Sequence, residues 1–465
     1  MDKSDNKIHV GTEPPEGEGW RQDPDTFDTW FSSGQWAYST LGYDKENPGP
    51  DFLEYYPSDT MIMGRDILPF WAFRMIILSL YRTGQVPFKN LYFTGLVRDE
   101  QGQKMSKSKG NGIEPLEMIE KYGTDAVRLA LIIGSAPGND LNLGESKIEG
   151  QRNFITKLWN VARFILEQVD HSKLKAESGA ALEELTPADA WIANKMNDLI
   201  QEVRENLENY QFSLAGEKLR EFTWHSLADW YLEVSKIEQN PAKKFLLYQI
   251  LQDLLRLWHP FIPFVTEKIW EELPDQKNLL IVDRWPREEF YQDILNSENI
   301  APQAVEEFEI AKEVITAIRA ARAENKVEPK RKIGATIYAG DRVESLEKQR
   351  SLLTQSRTGI EEAKLEIKES GPKVKQAILA QATPFDQKID IYLLEALDQE
   401  KEKQRLEKEV QALEKVIPNL EKKLANPSFV SNAPKEIIQA EKAKLDQWQT
   451  KLAGFKKQLE ELKNN

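Results

Sequence analysis

Beyond residue 398 the sequence repeats on a seven-residue period. Leu406, Val410, Leu413, Ile417, Leu420 and Leu424 step alternately by four and three, and Ile438, Leu445, Trp448, Leu452, Phe455, Leu459 and Leu462 continue an equivalent seam. Between them NPSFVSNAP (426–434) carries two prolines and cannot be helical. Two heptad helices joined by such a break bury their seams by folding back on one another, which predicts an antiparallel coiled-coil hairpin. Each arm of roughly 28 residues would project about 40 Å. Pro418 should kink the first arm, and Glu441 weakens the seam of the second. The hairpin has 14 Lys/Arg against 12 Asp/Glu, whereas the whole chain carries a net charge of −14. A nearly neutral arm on an acidic body reads either as a solvated dimerisation or spacer element, or as an arm that grips a partner.

At the other end, 1–22 is polar and rich in Gly, Pro and Glu, and reads as loop. A dense aromatic stretch follows, DTWFSSGQWAYSTLGY at 28–43. TMIMG (60–64) predicts a strand, Asp66 a helix cap, and the run to about Arg82 a helix with Pro69 in its first turn. Thr83-Gly84 ends that helix and LYFTGLV (91–97) predicts a second strand. Strand, crossover helix and strand make one unit of a parallel, doubly wound sheet. One unit is not a whole sheet, so further strands are expected from outside this segment. Two short helices are predicted near 114–121 and 124–133, and from about 145 to 330 apolar residues recur at helical spacing, with breaks at Pro187, Pro241, Pro260 and Pro263. IGATIYAG and KIDIYLL predict strands around a charged middle within 333–395. The fold class is therefore mostly α with an α/β part.

Composition excludes several chemistries. There is no cysteine, which removes disulfides, thiol nucleophiles, iron–sulfur clusters and thiolate zinc sites. The four histidines (His9, His171, His225, His259) are isolated from one another. The acidic balance argues against nonspecific coating of nucleic acid. The most apolar run, 67–81, contains Arg74 and is shorter than the ~20 residues a membrane span needs. With no export signal, a cytoplasmic location and no membrane or DNA partner are expected.

Chemistry concentrates in Lys104-Met105-Ser106-Lys107-Ser108, a loop after a parallel strand, flanked by Gly102 and by Gly110-Asn111. A glycine-hinged loop presenting Lys104, Lys107 and Lys109 can close over a polyphosphate and neutralise charge on a departing group. KMSKS in this setting resembles the second signature of class I aminoacyl-tRNA synthetases. DTWFSS (28–33), GRDILPFW (64–71), GLVRDEQGQKMSKSKGN (95–111), YGTDAVRLAL (122–131), RNFITKLWN (152–160), HPFIPFVTEKIW (259–270) and KLANPSFVSNAPKEII (423–438) resemble the valyl-tRNA synthetase family.

The resemblance implies the C-terminal half of a Rossmann-like nucleotide-binding domain at 23–150. It implies a helical anticodon-binding bundle at 151–332, a small α/β linker module at 333–395 and a coiled-coil tRNA-binding arm at 396–465, with 1–22 a remnant of the editing insertion. It further implies ATP-dependent attachment of valine to tRNA-Val through valyl-adenylate, with Mg2+ accompanying ATP and no zinc in this chain. Lys107 is implied as the ATP-contacting lysine and Lys104 as its assistant, within a signature loop of Lys104, Met105, Ser106, Lys107 and Ser108. Gly64 and Asp66 match the G-x-D that approaches the ATP ribose. Trp30, Ile67 and Trp71 match the walls of the valine pocket, although without the match ordinary core packing explains the tryptophans equally well. Arg152, Lys157, Arg319, Arg322 and Lys326 are candidate tRNA phosphate contacts.

The family's first signature, H-x-G-H, does not occur among these residues. The chain is accordingly expected to be a C-terminal half that needs an N-terminal half carrying that motif, as a separate polypeptide or as the rest of a longer product, and neither to form adenylate efficiently alone nor to edit. A non-catalytic tRNA-binding module and an isoleucyl relative are the alternatives.

Overall fold

The short apolar runs within SDTMIMG and FKNLYFT lie on the two strands that organise the first part of the molecule. The computed structural model describes residues 8–106, 109–169, 184–274, 278–396, 399–425, 439 and 444–456. Helices α1 (Thr29–Gly34), α2 (Trp36–Ser39) and α3 (Pro50–Tyr55) precede β1 (Ser58–Gly64), and α4 (Phe73–Thr83) leads to β2 (Phe88–Thr94) and the short β3 (Val97–Arg98). Then come α5 (Pro115–Tyr122), α6 (Thr124–Ile132), β4 (Leu141–Asn142) and α7 (Glu145–Gln168). Helices α8 (Pro187–Glu208), α9 (Phe212–Glu221), α10 (Leu232–Ser235), α11 (Pro241–Trp258), α12 (Pro263–Glu271), α13 (Glu289–Leu295) and α14 (Ala304–Glu324) follow. The remainder is β5 (Ile333–Tyr338), α15 (Val343–Lys348), α16 (Arg350–Gln355), β6 (Ile360–Lys368), β7 (Ile378–Ala382), β8 (Ile389–Leu394) and α17 (Gln399–Ala425). The fold is mostly helical with small sheets.

The described residues fall into two compact units. One is drawn from Met1–Ser172, Met196–Ser226 and Leu247–Glu289, the other from Lys173–Lys195, Leu227–Leu246 and Phe290–Asn465.

In the first unit β1 and β2 run parallel, with Thr60 beside Asn90 and Gly64 beside Thr94, as the sequence predicts for a crossover unit. The predicted second strand divides at Gly95. β2 ends at Thr94, and Val97–Arg98 pairs instead with Leu141–Asn142 in a separate two-stranded sheet. Gly95 sits at the division, where a Cβ would collide with the backbone carbonyl of Asn139, so only glycine lets the two segments pass. The predicted crossover helix also departs from expectation at its start. Arg65–Ile67 is a 3-10 turn and Leu68–Ala72 a π turn, in which the Phe73 N–H reaches the Leu68 carbonyl. Asp66 lies in the first of these turns, and the α-helix opens only at Phe73. Pro69, which has no N–H to continue a regular ladder, sits in the π turn. Gly84 at φ +75° caps α4, as Thr83-Gly84 predicts. Met63, Ala72, Met75 and Phe88 form the core beneath β1, β2 and α4, joined by Tyr38, Phe52 and Tyr56.

Further along the same unit, Ala126, Val127, Ala130, Leu143 and Ile148 bind α6 to α7. Asp125 accepts the N–H groups of Phe264 (3.3 Å) and Val265 (2.7 Å), which fastens α6 to the first turn of α12. Burial raises the Asp125 pKa while those amides oppose the rise.

The second unit is built around a buried ionic cluster. Lys243 Nζ lies 2.5 Å from Asp189 and 3.0 Å from Glu238, Tyr231 donates its hydroxyl to Asp189 at 2.5 Å, and both Lys243 and Asp189 are shut off from solvent. Four strands in the order β6-β5-β8-β7 form a mixed sheet, with β5 parallel to β6 and antiparallel to β8. β5 and β8 match the predicted strands. The predicted charged middle holds two more, because β6 (IEEAKLEIK) hides only Ile360, Leu365 and Ile367 and leaves its charged side chains outward. In α17 the seam residues Ile417 and Leu420 are buried. The loop at 426–434 and Glu441 lie outside the described residues.

Removing one member of the buried cluster strands the others as uncompensated charges. Lys243→Met is expected to cost about 3–5 kcal/mol, read as a lowered urea midpoint at unchanged slope.

Candidate active site at the strand ends

Two elements named by the sequence meet at the C-terminal ends of the parallel strands, the G-x-D turn after β1 and the lysine loop after β3. Gly64 ends β1 in extended backbone, and a Cβ there would stand 2.7 Å from Asp66 Oδ1. The glycine therefore lets the Asp66 carboxylate fold back against the strand end, where it stays exposed. Arg65, between them, donates from Nη1 to the Gly138 carbonyl at 2.9 Å and from Nη2 to Asp140 Oδ1 at 3.3 Å.

The lysine loop is anchored on the same aspartate. Asp140 accepts the Leu96 N–H at 3.0 Å and Arg98 Nε at 2.5 Å, and Arg98 Nη1 also donates to the Gly102 carbonyl at 3.1 Å. The Leu96 amide, followed by Arg98, holds the Asp140 carboxyl below its ordinary pKa. A second carboxylate shapes the hinge. Asp99 accepts the backbone N–H groups of Gln101 (3.1 Å) and Gln103 (2.7 Å) and the Asn111 amide (2.7 Å). Its pKa is lowered, chiefly by Asn111 and then by Gln103. Gly102 at φ +76° closes this turn, and Arg98 bridges to Lys104 in antiparallel fashion. Asn111 spans the base of the loop, accepting the Ser106 N–H at 3.0 Å and donating to the Lys104 carbonyl at 3.3 Å.

Lys104 is exposed, whereas Met105 packs against the core of α6 and α7 and Ser106 is partly covered. Lys107 and Ser108 lie outside the described residues. The arrangement is a cationic flap whose two ends are pinned by Asp99, Asn111 and Asp140 while one apolar residue plugs into a helical core. Asp140, Asp99 and Asn111 are absent from the sequence-derived set. Asp99 and Gly102 in RDEQG carry the pattern of an Asx-type turn, but Asp140 has no local signal because it acts through partners more than forty positions away.

The aromatic candidates gather beside the π turn. Asp28 caps the first turn of α1 by accepting the backbone N–H of Trp30, whose ring stacks on Phe70 with ring centres 6.1 Å apart. The Trp71 indole N–H donates to the Ser33 carbonyl of α1 at 3.2 Å. Ile67 and Trp71 are partly buried against the core under β1. Phe70, exposed beside Trp30, is not among the residues that the sequence pattern singles out.

The candidate phosphate contacts differ among themselves. Arg152 is exposed on α7, and Lys157 of the same helix lies over the Trp224 ring at 5.0 Å. In the second unit Arg319 donates from Nε (2.9 Å) and Nη2 (2.5 Å) to the Ser356 carbonyl and covers the Trp230 ring. Arg322 is buried, and Lys326 is exposed at φ +52° just past α14. No group of three or more His, Asp or Glu side chains suited to a metal occurs among the described residues, and no described helix is long and apolar enough to cross a membrane.

Three segments of the chain match known families. Residues 3–144 match the family model of class I tRNA synthetases (I, L, M and V), and 189–338 match the anticodon-binding domain of tRNA ligases. Residues 398–463 match the valyl tRNA synthetase tRNA binding arm. The chain belongs to the valyl-tRNA synthetase family. The valine–tRNA ligase of Bacillus cereus (strain ATCC 10987) is 39% identical over 99% of this chain and 52% of its own length. That of Lactococcus lactis subsp. lactis matches with the same identity and coverage. The chain thus spans about half the length of these curated relatives. Among solved structures, the ternary complex of Agrobacterium radiobacter K84 agnB2 LeuRS with tRNA and LeuAMS is similar at 25% identity. It has a TM-score of 0.50 and covers 60% of this chain and 34% of that one.

Because Asn111 joins both sides of the flap, Asn111→Ala removes three hydrogen bonds of about 1 kcal/mol each. The variant is expected to be cleaved by trypsin within 99–111 several-fold faster than the parent, with little change in global melting temperature.

Proposed function

We propose that this chain supplies the C-terminal half of a valine–tRNA ligase, acting on ATP, valine and tRNA-Val. The observation that carries the reading is the shared anchoring of the G-x-D turn and the lysine loop on Asp140 at the ends of parallel strands. In this reading Gly64 leaves room for the ATP ribose and Asp66 accepts its hydroxyl protons, a role suited to a carboxylate at a strand end. The valine carboxylate attacks the α-phosphorus and the bond to pyrophosphate breaks. Charge then gathers on the departing oxygens, where Lys104 and Lys107 of the flap stabilise it. Met105, Ser106 and Ser108 complete the loop that follows the triphosphate. Magnesium enters on the triphosphate rather than in a cage of protein ligands. Trp30, Ile67 and Trp71 form a rigid apolar slot for the valine side chain. Such a slot discriminates poorly against threonine, so editing has to come from elsewhere. The acyl group then passes to the terminal ribose of the tRNA, releasing AMP.

An N-terminal half bearing H-x-G-H completes the nucleotide fold. Two features support this. Among the described residues the β1–β2 sheet has only two strands. Phe73, Ile77, Leu80 and Tyr81, spaced along one face of α4, are all exposed, as is Phe70 just before them. An apolar helix face of this kind suits coverage by further chain. The cytoplasm is the proposed location.

In this proposal the bundle at 151–332 binds the anticodon arm, with Arg152 and Lys326 its exposed candidates, while Arg319 and Arg322 are held by carbonyls of the protein itself. The last segment forms an antiparallel coiled-coil hairpin against the outer corner of the tRNA. Gln449 donates to Glu421 at 2.8 Å and Lys456 pairs with Glu414 at 2.6 Å, so one heptad forward on one helix matches one heptad back on the other.

Mixed with the N-terminal half of a valyl relative, the chain is expected to support valine-dependent ATP–pyrophosphate exchange. Lys107→Ala should lower that exchange about 100-fold or more; full exchange by the variant would refute the role of the flap. Deleting 398–465 should weaken tRNA-Val binding, measured by filter retention at moderate salt, while residues 23–332 keep their circular dichroism.

A further inference from the structure

In the second unit, an open cleft of about 500 Å³ lies between the end of α14, the segment 329–332 and the turn from α16 into β6. It is lined by Arg322, Lys332 and Arg357, with Pro329, Thr354, Gln355 and Gly359 between them. The cations come from three separate stretches of chain that the fold brings together, against the acidic balance of the molecule as a whole.

Arg322 is the unusual member. It is 6% exposed, and its Nη2 donates to the carbonyls of Glu328 (2.8 Å) and Arg331 (3.0 Å), which fixes the guanidinium in place. Its Nη1 is buried and has no hydrogen-bond partner among the described residues. A buried donor without an acceptor is costly, and native structures rarely keep one without a use. Gly359, at φ +69°, is what admits the guanidinium, since a Cβ there would stand 2.7 Å from that same Nη1. Arg357 holds the left-handed conformation at φ +54°, uncommon for a side-chain-bearing residue and a mark of local strain near function. Its Nη2 reaches Glu233 at 3.1 Å, yet the side chain stays mostly exposed, able to turn toward an incoming anion. Neighbouring cations crowd one another here. Burial and then Arg331 lower the Arg322 pKa, and burial and then Arg357 lower that of Arg319.

We propose that this cleft is a phosphate subsite for the RNA backbone, in which Lys332 and Arg357 close on a phosphodiester of bound tRNA above a floor made positive by the buried guanidinium of Arg322. A guanidinium fork together with an exposed ammonium suits the two non-bridging oxygens of a singly charged phosphodiester, and backbone phosphates are the anions such a partner offers in number. The inference rests on the reading of this chain as a tRNA binder, and it adds a contact that acts independently of nucleotide sequence.

The test uses the full chain with the exposed residues changed, Lys332→Gln and Arg357→Gln singly and together, so that the fold is kept and melting temperature checks that it is. Binding of a tRNA-Val transcript is measured across a salt series. The double variant is expected to flatten the slope of log affinity against log salt by about 1, with equal loss for an unrelated tRNA. The control Lys348→Gln with Lys388→Gln, exposed lysines of the same unit, should leave the slope unchanged. A slope identical to the parent, or an equal flattening by the control pair, overturns the subsite. Inorganic phosphate is titrated alone in a second arm. If it binds through Lys332 and Arg357 while the tRNA slope stays at the parent value, the cleft serves free phosphate and the RNA assignment falls. A parent chain that binds no tRNA at all refutes the broader reading instead, which keeps the two failures apart.

Discussion

The geometry of the candidate active site turns on one carboxylate. Asp140 takes a backbone amide from Leu96 and a guanidinium from each of Arg65 and Arg98, and thereby sets the strand-end turn and the flap base at a fixed separation. Neither element is a regular helix or strand: the turn is three residues of 3-10 helix, and the loop carries glycines in the left-handed region at 102 and 110. Their shared acceptor makes a site from two loops. Its charge is retained because every partner favours the ionised form, a self-consistent arrangement that a neutral amide could reproduce only in part.

Much of this was legible in the residues. The crossover unit, the glycine cap of α4 and the pair of helices after the flap follow from local pattern, because each depends on neighbours within a turn or a strand. The lysine loop stands out for the same reason, its five candidate residues being consecutive. Gly95 was not legible, since the need for a missing side chain is created by Asn139, far along the chain. Asp140 was invisible on the same ground. β6 was hidden differently: its charged alternate positions make it read as solvated linker, when the apolar remainder is enough for a strand with one covered face.

The arginines of α14 carry the opposite lesson. Exposed cations on a helix were expected, but Arg319 binds a backbone carbonyl and an aromatic face, and Arg322 sinks into the protein. Helical spacing assigns a residue to a face; it does not say what a neighbouring module will lay over that face. Here the turn from α16 into β6 supplies the cover, through Ser356 and Gly359.

The thioether of Met105 has a mechanical consequence. Because it lodges among Ala126, Val127, Ala130, Leu143 and Ile148, the flap is moored near its middle as well as at its ends. Lifting the loop away from the helices at this point would draw a half-buried apolar side chain into water, at a cost of about 1 kcal/mol.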